Sequence, residues 1–142
     1  MTLPSFDGIE VGDTLPEYAK PPITRATLAL FAGASHDHNP IHIDIDFAKS
    51  SGLDDVIAHG LLVMAYLGQA LTSWVPQTAI RSFETKFVAM TYVGDAITCT
   101  GTVAEKWTEE GVDLLRLNLR ACDQNGKVKL SGEAVVEAAS RG

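Results

Sequence analysis

The sequence predicts an α+β fold, on two observations. Residues 60–74 read GLLVMAYLGQALTSW, apolar on nearly every face, and the chain beyond residue 80 changes to a two-residue alternation of apolar and polar side chains. A helix apolar all round belongs inside a protein, and a sheet with one apolar face is a partner that can enclose it. The expected architecture is therefore a long central helix wrapped by a curved antiparallel sheet. At about 22 Å if wholly helical, residues 60–74 are too short to cross a membrane.

The other elements follow in order. An N-terminal arm ends near Pro21-Pro22. Thr24 to Ser35 reads as an amphipathic helix, because Thr24 is a capping residue and Leu28, Phe31 and Ala32 recur at helical spacing. It is expected to stop at Gly33 or shortly after, leaving irregular chain in which Pro40 pushes Asn39 toward extended geometry. Asp44 reads as the N-cap of a short helix, Ile45 to Ser51, with Gly52 as its stop. After the central helix, Ile80 to Val88 gives a first strand. Ile97, Cys99 and Val103 then alternate with Thr98, Thr100 and Thr102, and Leu115, Leu117, Leu119 and Ala121 alternate with Arg116, Asn118 and Arg120. A last run, Val128, Leu130, Ala134 and Val136, follows Asp123-Gln124-Asn125-Gly126, whose Asn-Gly suits a tight reversal. Four long antiparallel strands are expected.

Composition narrows the function classes. With 142 residues and 46 % hydrophobic content, one domain spanning residues 1–142 is expected. The net charge of −7, with only 11 scattered Lys and Arg, argues against nucleic acid as a partner. No basic start precedes an apolar run and no apolar stretch reaches the roughly 20 residues of a membrane helix, so a cytoplasmic protein without membrane association is expected. Cys99 and Cys122 lie in strand-like segments away from any Cys/His pattern, which points to buried thiols rather than a disulfide or a zinc site.

The densest chemistry lies in residues 36–44, HDHNPIHID. Asp37-His38-Asn39-Pro40-Ile41-His42, followed after a spacer by Ala58-His59-Gly60 at the start of the central helix, resembles the hydratase motif of the MaoC-like, hot-dog-fold family of (R)-specific enoyl-CoA hydratases and 3-hydroxyacyl dehydratases. Val11-Gly12-Asp13 and Gly94-Asp95 are weaker matches; alone, Gly-Asp means only a turn. The likeness is especially close to catalytic subunits of heterodimeric 3-hydroxyacyl-ACP dehydratases of the mycolic-acid type. Two departures stand out: several of the hydratases carry a serine on the central helix where this chain has Ala65, and a common Pro-Val is Met90-Thr91 here. The missing hydroxyl bears on acyl-chain or thioester contacts.

The resemblance implies reversible hydration of trans-2-enoyl thioesters, and the residue types suit that reaction. Adding water needs a base for the water that attacks C3, an acid for C2, and stabilisation of charge on the thioester oxygen. A histidine with a pKa near 6.5 is a suitable base, and His42 takes that role, with Asp37 holding the same water and relaying a proton. The first N–H groups of a helix lack intrahelical partners and carry the positive end of its dipole, so Gly60, with Leu61 beside it, is the expected oxyanion donor. Asn39 and Pro40 shape the loop. Asn39, His59, Leu61 and Ala65 are expected to meet substrate, with His59 evenly divided between that and shaping the helix start. His36 and His38 read as ordinary exposed loop residues, Asp44 as a cap, and Met64, Tyr66 and Trp74 as core or tunnel lining. No metal or redox cofactor is required. The substrate is expected to be acyl-CoA or acyl-ACP, and the assembly a homodimer or a heterodimer with a second hot-dog subunit. Thioester hydrolysis and a non-catalytic acyl-binding subunit are the rivals; the first leaves the loop motif unexplained, and the presence of both Asp37 and His42 weighs against the second.

Overall fold

Local side-chain chemistry sets the ends of the helices. In a computed structural model, which describes residues 1–140, the Thr24 hydroxyl accepts the Thr27 N–H at 3.1 Å and starts α1, Arg25–Ser35. This helix continues two residues past Gly33 and closes at His36, whose φ is 59°. One Asp44 carboxylate oxygen accepts the Asp46 and Phe47 N–H groups, at 3.0 and 3.2 Å, and starts α2, Ile45–Ser50. Between them, where irregular chain is expected, Pro40–His42 forms a 3-10 turn; Asn39 caps it by accepting the Ile41 N–H at 3.1 Å.

The central helix α3 spans Gly60–Thr72, two residues shorter than the apolar run. Leu62, Val63, Tyr66, Leu67 and Leu71 are buried on one face. Leu61 and Ala65 are exposed on the other, because a single curved sheet covers one side of the helix it packs on.

The sheet has five strands, the four long ones expected and a two-residue addition. β1 is Tyr18–Ala19, β2 Ile80–Phe87, β3 Thr98–Glu109, β4 Val112–Cys122 and β5 Val128–Ala138. Their order is β1-β3-β4-β5-β2, with antiparallel neighbours throughout. β3 and β4 are joined by Glu110 and Gly111, both at positive φ (50° and 78°), which matches the twist of a two-residue hairpin. The register Val103↔Leu117 and Leu117↔Ala134 lines apolar side chains across three strands, and Leu115, Leu117, Ala121, Leu130, Ala134 and Val136 are fully buried. At Gly132 an added Cβ would stand 2.8 Å from the Glu84 carbonyl oxygen and 3.4 Å from Leu67, so this glycine permits close approach of β2 and the helix.

The two sheet edges differ. Along β3, the N-terminal arm adds hydrogen bonds from Leu15 N–H to the Gly101 carbonyl and from Val103 N–H to the Asp13 carbonyl, at 2.9 and 2.8 Å. β2, at the opposite end of the strand order, pairs on one side only. Among the described residues no helix is long and apolar enough to cross a membrane.

Replacing fully buried Leu67 by Ala should cost about 2–5 kcal/mol, because a cavity adds to the lost transfer free energy. The same change at Leu30, which is 77 % exposed, should stay within about 0.5 kcal/mol. Urea denaturation of the two variants checks the difference.

Candidate active site

The loop after α1 and the start of α3 meet through a hydrogen bond to the backbone. The 3-10 turn points His42 at the segment before α3, where its Nδ1 lies 2.7 Å from the Ile57 carbonyl oxygen. A carbonyl only accepts, so Nδ1 carries a proton, and in the neutral imidazole Nε2 is the nitrogen with the free lone pair. That nitrogen lies 3.7 Å from the Asp37 carboxylate. The distance exceeds a direct hydrogen bond and suits two groups that share one small molecule between them. The other Asp37 oxygen accepts the Asn39 N–H at 3.3 Å, so the loop itself orients the carboxylate.

His59 stands behind this pair. It is 1 % exposed, its Nε2–H donates to the Asp37 carbonyl oxygen at 3.1 Å, and its ring stacks on His42 with centroids 3.8 Å apart and planes 26° from parallel. Phe31 of α1 meets its edge at 4.9 Å. Burial pushes the His59 imidazole below its ordinary value of 6.5, and His42 adds to the fall, while the Asp37 carbonyl and carboxylate oppose it without reversing it. Its Nδ1 is buried without a hydrogen-bond partner. Such a residue touches both members of the pair and is closed to solvent.

His59 is also the N-cap of α3 and supplies no side-chain cap, so the first N–H groups, at Gly60 and Leu61, remain for an outside acceptor. Gly60 borders a cavity of about 350 Å3 that His42, Ala58, Val63, Phe87 and Met90 also line. An added Cβ at Gly60 would come within 2.8 Å of the Phe87 ring, so the absence of a side chain keeps this wall close to the helix start.

The expected site residues thus divide. Asp37, His42, His59 and Gly60 come together. Asn39 is exposed and bonds the loop backbone, the shaping role read from the sequence. Leu61 and Ala65 lie on the exposed side of α3 and do not line the cavity of this chain. His36 and His38 are exposed and meet edge to face at 6.0 Å. Two contributors went unrecognised in the sequence: the Ile57 carbonyl, a backbone group with no residue signature, and Lys129, whose place in an alternating strand gives no hint that it is buried beside this cavity.

Asp37, His42 and His59 each bring a possible metal-ligating atom within 4.8 Å of the others. His42 Nδ1 and His59 Nε2 are engaged with carbonyls, which leaves His42 Nε2, His59 Nδ1 and the Asp37 carboxylate as the donors of this group. A nucleophilic thiol has no place here: burial, with Cys122 next, pushes the Cys99 thiol up to about 12.

A central helix on a sheet of order β1-β3-β4-β5-β2, with a His/Asp pair at the helix start, defines a hot-dog domain. Comparison with known proteins agrees: the MaoC like domain matches over residues 9–114, and the chain belongs to that family. It is 34 % identical to an (R)-specific enoyl-CoA hydratase of Rhodospirillum rubrum, over 84 % of this chain and 83 % of the relative. A 3-hydroxybutyryl-CoA dehydratase of Methylorubrum extorquens is 33 % identical over 93 % of this chain and 82 % of its own. The structure of an unliganded R-hydratase from Pseudomonas aeruginosa superposes with a TM-score of 0.84 at 29 % identity, covering 99 % of this chain and 88 % of that one.

His59 makes stability pH-dependent in a stated direction. Its pKa in the fold lies below the 6.5 of the unfolded chain, so the unfolded chain binds more protons as pH falls through that range. Stability from this group falls as pH drops through 6.5 toward the lower folded value. His59→Gln, which removes the titration and keeps a donor, should lose less in melting temperature than wild type between about pH 7.5 and 5.5; scanning calorimetry at matched ionic strength measures it.

Proposed function

We propose that this chain adds water reversibly to trans-2-enoyl thioesters, giving (R)-3-hydroxyacyl thioesters, with Asp37 and His42 as its acid–base pair. The observation that carries this reading is the His42 Nε2 lone pair, 3.7 Å from the Asp37 carboxylate, at the start of a helix with free N–H groups. The kinship with a hydratase and a dehydratase supports the reaction type and a CoA thioester as substrate.

Water held between the two side chains gives a proton to His42 Nε2 as its oxygen attacks C3. Electron density moves through C2 to the thioester oxygen, which the Gly60 N–H receives, assisted by that of Leu61. Asp37 accepts a hydrogen bond from the same water, takes the proton on from His42 Nε2 across the 3.7 Å between them and delivers it to C2, so OH is added at C3 and H at C2 and both side chains return to their starting states. His59 keeps the pair in place, and the apolar cavity takes the acyl chain.

Replacing His42 by Ala or Asp37 by Asn should lower kcat by at least about 10²–10⁴-fold, the scale of lost acid–base catalysis, with melting little changed. The double variant should fall far short of the product of the single losses, because both groups act on one water. Loss of enoyl absorbance without release of free thiol distinguishes hydration from thioester hydrolysis; unimpaired folded single variants would reject the pair.

The active assembly is a dimer, with a second hot-dog subunit, identical or different, covering the face that α3 leaves open. Leu61, Phe87, Val88, Met90 and Tyr92 are between 45 % and 57 % exposed, and Phe87, Val88 and Met90 also line the cavity. Exposed apolar side chains at a cavity wall, beside the β2 edge, suit a partner that completes an acyl tunnel. Light scattering should give about twice the 15.2 kDa chain mass for a homodimer. An active monomer would reject the assembly; activity that appears only with a second hot-dog chain would assign the heterodimer.

A further inference from the structure

Lys129 is the buried charge that the reaction leaves unused. It is 3 % exposed and lies in β5 between Val128 and Leu130. Its ammonium donates to the Met90 carbonyl oxygen at 2.8 Å and lies 3.5 Å from both the Asp95 and the Asp123 carboxylates, with the Tyr92 ring 5.2 Å away. An ammonium withdrawn from water is costly, and this one is compensated from two separate segments.

Both carboxylates are tied down in turn. Asp95 accepts the Tyr92 N–H at 2.8 Å and the Gln124 amide at 3.3 Å. Asp123 accepts the Asn125 and Lys127 N–H groups, each at 2.9 Å. Burial pushes the Asp123 carboxyl up, but those two donors and Lys129 outweigh it and leave it below the ordinary carboxylate value. The Lys129 backbone carbonyl also accepts the Val88 and Ala89 N–H groups, at 3.0 and 3.2 Å. Residues 88–95 are thus held on β5 by backbone and side chain of a single residue.

The same segment reaches the proposed acid–base pair. The carbonyl of Thr91, next to Met90, accepts the Ala58 N–H at 2.8 Å, and Tyr92 bridges Ile57. Ile57 carries the carbonyl that takes the His42 Nδ1–H, and Ala58 is two residues before Gly60. We infer that Lys129 is a positioning residue: by fixing Met90, Thr91 and Tyr92 it holds Ile57 and Ala58, and so sets the tautomer and aim of His42. The catalytic part of this inference rests on the hydration reading; the tautomer part stands on geometry alone.

The test uses the full chain in its active assembly. Lys129→Met is combined with Asp123→Asn, so that two buried carboxylates are not left facing each other, and Lys129→Arg keeps the charge. On a short trans-2-enoyl-CoA, well below the melting temperature, the double variant should lose about tenfold or more in kcat with KM within about threefold, and Lys129→Arg should stay within about threefold in both. Independently, nitrogen NMR of ¹⁵N-histidine-labelled protein should show His42 held as the Nδ1–H tautomer in wild type and Lys129→Arg, and averaged between tautomers in the double variant. If the double variant does not fold, Lys129→Gln is scored by the same two measurements. A folded variant with wild-type kcat and tautomer overturns the inference, as does a change in KM alone. If the wild-type chain hydrates no enoyl thioester, the proposed function falls, and the tautomer measurement by itself decides Lys129.

Discussion

Burial of one face of α3 against the sheet is the constraint on which the rest of the structure depends. Leu62, Val63, Tyr66, Leu67 and Leu71 leave water together, and fully burying an aliphatic or aromatic side chain is worth about 1.5–3 kcal/mol. The facing strands bury Leu115, Leu117, Ala121, Leu130, Ala134 and Val136 in the same core. The helix axis is thereby fixed, and with it the place of the helix start. Gly60 and its N–H groups stand where that packing puts the helix start, and hydrogen bonds of Ile57, Ala58 and His59 to neighbouring segments hold the approach to it.

Around that fixed point, backbone atoms do most of the positioning. The Ile57 carbonyl selects the tautomer of His42, the Asp37 carbonyl receives His59, and the Thr91 carbonyl seats Ala58. Side chains then refine the arrangement: the His59 ring stacks on His42, and burial lowers the His59 pKa, which disfavours a positive charge beside the proposed base. A site built in this way is preorganised, since its donors and acceptors are aimed before any ligand arrives.

The exposed side of α3 belongs to the same logic. A helix apolar on nearly every face has more surface to bury than one sheet can cover, and Leu61 and Ala65 are what remains. They sit on the element that carries Gly60, which borders the wall formed by Phe87, Val88 and Met90. Whatever covers that wall also shapes the cavity, which links assembly to substrate fit in one surface.

The sequence by itself determined the α+β class, the central helix, the four long strands, both helix caps at Thr24 and Asp44, and the order of the loop motif, because each is a local matter of period, capping or turn chemistry over a few neighbouring residues. It also singled out Asp37, His42 and Gly60 as a set. What only the tertiary structure decided is how they are held. The acceptor for His42 is a backbone carbonyl 15 residues away, and every residue type has one, so no letter in the sequence marks it. Lys129 is buried because a segment 39 residues earlier in the chain folds over it, and the two-residue period of its own strand carries no information about such a cover. His59 became a support for Asp37 and His42 through a stack between a loop and a helix start, and Leu61 became exposed through the limited reach of a single sheet. These are long-range consequences of packing, in which a residue's environment is set by chain that is distant in sequence and near in space.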